Sequence, residues 1–162
     1  MIRNATQTDA KQLSEIYNYY IKNTAITFEE NPVSTEEMAT RIQNVQNHQL
    51  PWLVIEEQGD ILGYAYATKW KERAAYRFTV EVTVYLSQNA HGKGLGTMLY
   101  NTLFQQLSAQ GIHTAIGGIT LPNDASVALH EKLGMKKVAH FIESGFKFEQ
   151  WLDVGYWQKT LN

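Results

Sequence analysis

The sequence predicts one mixed α/β domain, a single sheet covered by helices, and three observations predict it. Apolar residues recur at helical spacing over 13–21 and again over 95–107. A strict two-residue alternation runs through 78–86, and a glycine-rich turn joins that alternating strand to the helix after it. The length of 162 residues suits a single domain spanning 1–162, which can bury about 70% of the surface its unfolded chain would expose.

Each element follows from its own residues. Leu13, Ile16, Tyr17, Tyr20 and Ile21 make one apolar stripe on a first helix opened by Thr8-Asp9. Ser34 with Glu37 three residues on is a capping-box pattern, and Met38, Ile42 and Val45 give the second helix its apolar face. Leu53 to Glu57 and Ile61 to Thr68 flank Gln58-Gly59-Asp60, a connection short enough for a hairpin. A polar, cation-rich loop follows around Trp70 to Tyr76. From Phe78 to Leu86 the apolar face carries Phe78, Val80, Val82, Val84 and Leu86, while Thr79, Glu81, Thr83 and Tyr85 lie on the other.

Gly92-Lys93-Gly94-Leu95-Gly96 then runs into a helix marked by Leu95, Met98, Leu99, Leu103 and Leu107, which stops at Gly111. Ala115 to Leu121 reads as a strand. Pro122-Asn123-Asp124 opens a short helix reaching Leu133 and ending at Gly134. Val138 to Ile142 and Phe146 to Trp157 supply the closing strands. Strands pair at both ends and alternate with helices between them, which makes the sheet mixed.

Composition narrows the function classes. The 14 Lys and Arg against 16 Asp and Glu give a formal net charge of −2, so no electrostatic footprint marks a nucleic-acid partner. The chain has no cysteine, which removes disulfides, thiolate nucleophiles and cysteine-based zinc sites. No apolar leader and no membrane-spanning run is visible, so an intracellular, cytoplasmic protein acting on small molecules is expected, with no membrane partner. The histidines show no H-E-x-x-H spacing and no G-x-S-x-G elbow occurs, so neither a zinc nor a serine hydrolase is expected and no metal is assigned.

The glycine-rich turn carries the first chemical signal. Glycines at alternate positions between a strand and a helix present backbone N–H groups and the positive end of the helix dipole to an anion. The spacing fits neither nucleotide fingerprint: four residues do not separate a first Gly from Gly-Lys, and Thr97 stands where G-x-G-x-x-G needs its last glycine. A diphosphate in another setting, or an ordinary packing turn, remains.

Four segments specify the setting. Gly92-x-Gly94-x-Gly96 after Val84-Tyr85-Leu86 resembles the pyrophosphate loop of the GNAT acyl-CoA N-acetyltransferases. Within that superfamily the chain is most similar to the phosphinothricin and methionine sulfoximine N-acetyltransferases. The resemblance is carried by Trp70-Lys71-x-Arg73-x-Ala75-Tyr76, by Glu81-x-Thr83-Val84-Tyr85, by Leu121-Pro122-Asn123-Asp124-x-Ser126 with His130-Glu131-x-Leu133-Gly134, and by Gly145-Phe146-Lys147 with Trp151-x-Asp153-Val154-Gly155. It implies a mostly antiparallel central sheet with helices on both faces, acetyl-CoA as cosubstrate, a small-molecule amine as acceptor, and a homodimer.

The resemblance also implies roles. An amine must lose its proton to attack a thioester, and Glu81 is the implied general base, its pKa raised by partial burial on the polar strand face. His130 stands where many superfamily members carry a tyrosine and is the implied acid for the leaving thiolate. Val84, Tyr85 and Leu86 would pair with the pantetheine arm and polarise the carbonyl. Gly92, Lys93, Gly94, Leu95, Gly96 and Thr97 would hold the diphosphate, and Asn123 and Ser126 would cap the short helix or bond to the coenzyme. For the acceptor, the expected set is Phe28, Lys71, Glu72, Arg73, Tyr76, Arg77, Glu81, Val82 and Thr83, with the loop cations matching an amino-acid-like anion.

His91 departs from the Gln or Arg usual at that place, and Arg77 and Val82 vary from some phosphinothricin enzymes. Without cysteine no acetyl-cysteine intermediate can form, so direct transfer in a ternary complex is expected. Acetylation of another small amine or of a protein N-terminus, and a non-catalytic acetyl-CoA sensor, are the alternatives; Glu81 and His130 together speak against the sensor.

Overall fold

Seven strands and four helices follow one another along residues 1–162 of the computed structural model: β1 (Ile2–Asn4), α1 (Ala10–Asn23), α2 (Thr35–Asn47), β2 (Trp52–Glu57), β3 (Asp60–Lys69), β4 (Thr79–Leu86), α3 (Leu95–Ala109), β5 (Thr114–Leu121), α4 (Asp124–Lys132), β6 (Lys136–Lys147) and β7 (Gln150–Thr160). They form one sheet in the order β1-β2-β3-β4-β5-β7-β6. Every neighbouring pair is antiparallel except β4 with β5.

The two-residue period of the strands divides the core. Leu53, Ile55, Ala65, Ala67, Val80 and Val82 project to one face, where Leu99, Tyr100, Leu103 and Leu107 of α3 cover them. The alternate residues Trp52, Val54 and Tyr64 project to the other, against Leu13, Tyr17 and Ile21 of α1 and Met38 and Ile42 of α2. Helices therefore lie on both faces, as the resemblance implies.

Local chemistry sets the helix ends. A short 3₁₀ turn, Gln7–Asp9, precedes α1, and the Asp9 carboxylate accepts from the Thr6 backbone N–H at 2.7 Å. Ser34 Oγ caps α2 by accepting from the Glu37 N–H at 3.0 Å. The Glu37 carboxylate does not complete the box; it accepts from Arg41 Nε at 3.2 Å, one turn along.

Two features differ from the sequence-based expectation. β1 is three residues long, too short for any period to show, and is held by Arg3, which bonds Asp9 at 2.8 and 2.9 Å and Glu56 at 2.8 Å. The last hairpin turns at Phe148-Glu149, not before Phe146, so Phe146 belongs to β6, next to its last residue, and does not open β7. A bulge between Phe141 and Gly145, with Glu143 at φ 50°, breaks the alternation there. Asp153 of the Trp-x-Asp-Val-Gly tail fixes that bulge, accepting from the Glu143 N–H at 2.8 Å and from His140 Nε2 at 2.7 Å.

The placement of the site follows from the sheet. β4 and β5 pair only at Thr79↔Thr114, Val80↔Ala115 and Glu81↔Ile116, whereas β5 stays paired with β7 as far as Leu121↔Asp153. Beyond Glu81 the two parallel strands part, and from Val82 to Leu86 β4 has a strand neighbour on one side only. No helix is long and apolar enough to cross a membrane.

Candidate active site

A groove begins where β4 runs free and ends on the first turn of α3. Gly92 and Gly94 have φ of 80° and 75°, a conformation that favours glycine, and a Cβ on either would meet nothing within 4 Å. The first intrahelical bond is Met98 N–H to the Gly94 carbonyl at 3.1 Å, and Gly94 supplies no side-chain cap. The N–H groups of Leu95, Gly96 and Thr97 therefore point out of the helix without a partner in it, at the positive end of its dipole. Gly96 has a packing role: a Cβ there would stand 3.2 Å from Leu129 of α4.

The groove, about 280 Å³, is lined by Val84, Tyr85, Leu86, Gly94, Leu95, Gly96, Thr97, Asn123 and Ser126. Gly92 and Lys93 shape the turn without lining it. Asn123 caps α4, its Oδ1 accepting from the Ser126 N–H at 3.2 Å. His91 and Tyr20 also line the groove. The Tyr20 hydroxyl donates to the Leu86 carbonyl and so receives its 2.9 Å bond from His91 Nε2–H.

A second cavity, also about 280 Å³, adjoins the groove and shares Ile26, Val84, Tyr85, Asn123 and Ser126 with it. Glu81 and His130 both line this chamber, with Phe28, Val82 and Thr83. The Glu81 carboxylate sits where β4 and β5 part and accepts no hydrogen bond from the protein. Desolvation raises its pKa above the ordinary carboxylate value, with only the charge of Lys71 opposing. Gly118 on β5 lies beside it and makes room for the Tyr156 ring, from which a Cβ would stand only 3.1 Å; the same Cβ would meet Glu81 Oε2 in ordinary contact at 3.6 Å.

His130 is buried on α4. Its Nδ1 lies 2.7 Å from the Ser126 carbonyl oxygen, which can only accept, so Nδ1 carries the proton. Nε2 is then the acceptor, 3.4 Å from the Tyr100 hydroxyl, whose ring meets the imidazole edge-on. Burial lowers the imidazole pKa. The resting side chain is thus a neutral imidazole with its lone pair toward Tyr100, not the imidazolium that donation requires. Gly117 makes its place possible, since a Cβ there would stand 2.8 Å from Nε2.

The loop cations lie elsewhere. Lys71, Glu72, Arg73 and Arg77 line a separate depression with His48, Lys69 and Gln110, and Tyr76 lines neither cavity. Of the expected acceptor set, Phe28, Glu81, Val82 and Thr83 meet in the chamber, whereas Lys71, Glu72, Arg73, Tyr76 and Arg77 do not line it. The loop leaves β3 at the sheet's end, and its 3₁₀ turn, Ala74–Tyr76, carries these side chains toward the C-terminal ends of α2 and α3. Arg77 closes on its own loop, donating to the Ala74 carbonyl at 2.9 Å and lying over the Phe78 ring. No Lys or Arg lines the chamber.

Sequence reasoning missed Ile26, Thr27, Tyr100, Gly118, Val154 and Tyr156 as chamber lining. Gly117-Gly118 in the middle of a strand is a signal that pointed there, because adjacent glycines in a strand interior mark a close approach.

Residues 2–155 match the profile of the family described as acetyltransferase (GNAT) domain. The chain is similar to phosphinothricin N-acetyltransferase of Streptomyces viridochromogenes, 40% identical over 158 residues that cover 98% of this chain and 86% of that protein. It is 35% identical over 161 residues to the L-methionine sulfoximine/L-methionine sulfone acetyltransferase of Salmonella typhimurium, covering 99% of this chain and 94% of that one. Among solved structures, a phosphinothricin acetyltransferase from Sinorhizobium meliloti in complex with AcCoA superimposes with a TM-score of 0.96 at 37% identity, over 100% of this chain and 88% of that chain.

Proposed function

The chain belongs to the GNAT acetyltransferase family, and from that membership we propose that it transfers acetyl from acetyl-CoA directly to the α-amino group of a small amino-acid analogue, with phosphinothricin and methionine sulfoximine as first acceptors. The observation that carries this reading is the continuity of the two cavities. A groove suited to a diphosphate and an extended arm opens into a chamber holding an unpaired carboxylate. The relatives named for these two acceptors and the structure solved with AcCoA support it.

The groove's residues fit the coenzyme. The free N–H groups of Leu95, Gly96 and Thr97 would hold its diphosphate, and the open edge of β4 at Val84 to Leu86 would pair with the pantetheine arm. Bound there, acetyl-CoA supplies an acetyl group activated as a thioester. Glu81 takes the proton that the acceptor nitrogen must shed, and its raised pKa brings it nearer the working range of a base. As the carbon–sulfur bond breaks, the thiolate needs a proton. His130 supplies it once Nε2 has acquired one, and the depressed pKa makes that imidazolium the stronger acid.

One observation favours a second reading. A chamber wall without Lys or Arg offers an acceptor's carboxylate no cation in direct contact, Lys71 acting on it only through its charge, which favours a small amine lacking a carboxylate. A thiol-release assay over matched pairs, each amino acid beside its ester or decarboxylated amine, decides between them. Turnover of phosphinothricin or methionine sulfoximine above their esters supports the first reading; preference for the uncharged partners overturns it. Glu81→Gln is expected to lower kcat by about 100-fold, within the range for general-base catalysis, while acetyl-CoA affinity is kept. We also propose a homodimer, supported by the apolar residues exposed on β6 and β7, and a cytoplasmic location.

A further inference from the structure

Gly145-Phe146-Lys147 is among the motifs the chain shares with its relatives' pattern, yet no step of the transfer uses it. Lys147 closes β6 and is only 2% accessible. A buried ammonium persists only where its N–H groups find acceptors. Nζ donates to the backbone carbonyls of Thr24 and Thr27, each at 2.8 Å. Neither carbonyl receives a backbone N–H. Desolvation lowers the lysine's pKa, and the nearby charges of Glu30 and Glu29 oppose that effect.

The same strand touches the segment at a second point. A Cβ on Gly145 would fall 2.2 Å from Phe28 Cζ, so the β6 backbone lies flush against that ring. Ile26, Thr27 and Phe28 line the chamber, and Ile26 reaches the groove as well. The neighbouring stretch has anchors of its own: Asn18 brackets Val33 at 2.8 and 2.9 Å, and Glu29 is held by Arg41 at 2.8 Å. Within the segment itself, the end of α1 holds Thr24, whose N–H donates to the Tyr20 carbonyl at 3.1 Å, and the Tyr17 hydroxyl meets Thr27 Oγ1 at 2.8 Å; the backbone carbonyls of 24 and 27 are bound by Lys147.

We propose that Lys147 is a positioning residue for the acceptor: its ammonium fixes the backbone of 24–27, so that Ile26 and Phe28 stand as the chamber wall, and Gly145 sets how deeply Phe28 reaches in. The proposal rests on the chamber being the acceptor site. Apart from Ile26, the segment does not line the groove, and the diphosphate end has no contact with this clasp, so the effect falls on the acceptor more than on acetyl-CoA.

Lys147→Met keeps most of the length of the side chain, one atom short, and leaves both carbonyls bare. It is expected to raise the acceptor KM by about tenfold or more, consistent with losing bonds from a charged donor, and to leave the KM for acetyl-CoA within about twofold. Amide hydrogen exchange followed by mass spectrometry is expected to speed up in 24–28 and to stay unchanged in α3 and β4. Gly145→Ala retains the ammonium and drives a methyl into Phe28; it is expected to raise the acceptor KM as well, and it decides the matter if Lys147→Met does not fold. An unchanged acceptor KM in the folded variants, or exchange that rises equally along the whole chain, overturns the proposal. If the wild-type enzyme acetylates no amine of the panel, the acceptor reading fails by itself, and the exchange of 24–28 alone decides for or against the clasp.

Discussion

Glu81 is a residue whose chemistry works against its own fold. Half-buried without a donor, its carboxylate has a folded pKa above the usual value of 4.5. The sign follows from linkage: below the unfolded pKa both states are protonated and nothing is lost, and as pH rises past the folded pKa the ionised group destabilises the native state in full. Glu81→Gln should therefore unfold with the wild type near pH 4 and above it at pH 7, by about 2–4 °C for each kcal/mol relieved. Thermal unfolding at the two pH values measures this, and equal melting temperatures at pH 7 would show that burial does not strain the carboxylate. For activity the same shift predicts that kcat/KM falls as pH drops through the raised pKa, because a protonated Glu81 cannot accept the amine's proton. The position of Glu81 was legible in the alternation of β4 and in the shared motif. The state of His130 was not, since its proton is placed by the Ser126 carbonyl one helical turn back. Nor was the direction of Lys71, Arg73 and Arg77, because side chains of an irregular loop follow no period.

The elements most legible in the sequence were those with a long apolar period: α1, α3 and β4 lie where Leu13 to Ile21, Leu95 to Leu107 and Phe78 to Leu86 place them, except that β4 opens at Thr79 and Phe78 stands exposed before it under Arg77. The last hairpin was misjudged for a physical reason. Its turn residues, Phe148 and Glu149, both adopt positive φ, at 53° and 59°, where two-residue hairpins favour Asn-Gly. The fold accepts the less suitable pair, so the usual signal is missing. Phe148→Asn combined with Glu149→Gly should stabilise the protein by about 1 kcal/mol, after allowing for the contact between Lys147 and the Phe148 ring, a distance of 5.1 Å. Chemical denaturation reads the change; a lower midpoint would mean that the Phe148 ring contributes more than the turn geometry loses. Lys147 keeps its bonds to the Thr24 and Thr27 carbonyls in this variant, so the chamber wall and the acceptor KM should stay as they are.

At the scale of the whole molecule, the two edges of the sheet are unequal. β1, at one end, is three residues long and offers little to a partner strand. β6, at the other, spans twelve residues with no neighbour on its outer side, and Val138, Phe141, Ile142 and Phe146 along it are at least half exposed. Trp151 and Phe148 extend the apolar surface across the hairpin. A long apolar edge of this kind invites uncontrolled pairing unless something covers it, and a second copy of the chain is the occupant always present at matching concentration. A stable pair needs about 1,200–2,000 Å² of buried surface, counted over both partners. The wild-type protein should therefore run as a dimer by light scattering at micromolar concentration. Trp151→Glu with Phe146→Glu should shift it to monomer by placing charges in the contact, while the fold, whose two cores take only Trp157 from this hairpin, persists by circular dichroism. A monomeric wild type would refute the assignment. A doubly substituted chain that stays dimeric would move the interface elsewhere. The outcome also bears on the chamber wall, because Phe146 stands between Gly145 and Lys147. If pairing seats Phe146, monomerisation should loosen the 24–28 segment and raise the acceptor KM in step, so kinetics measured at protein concentrations on either side of the dimer dissociation constant should show acceptor KM falling as dimer forms.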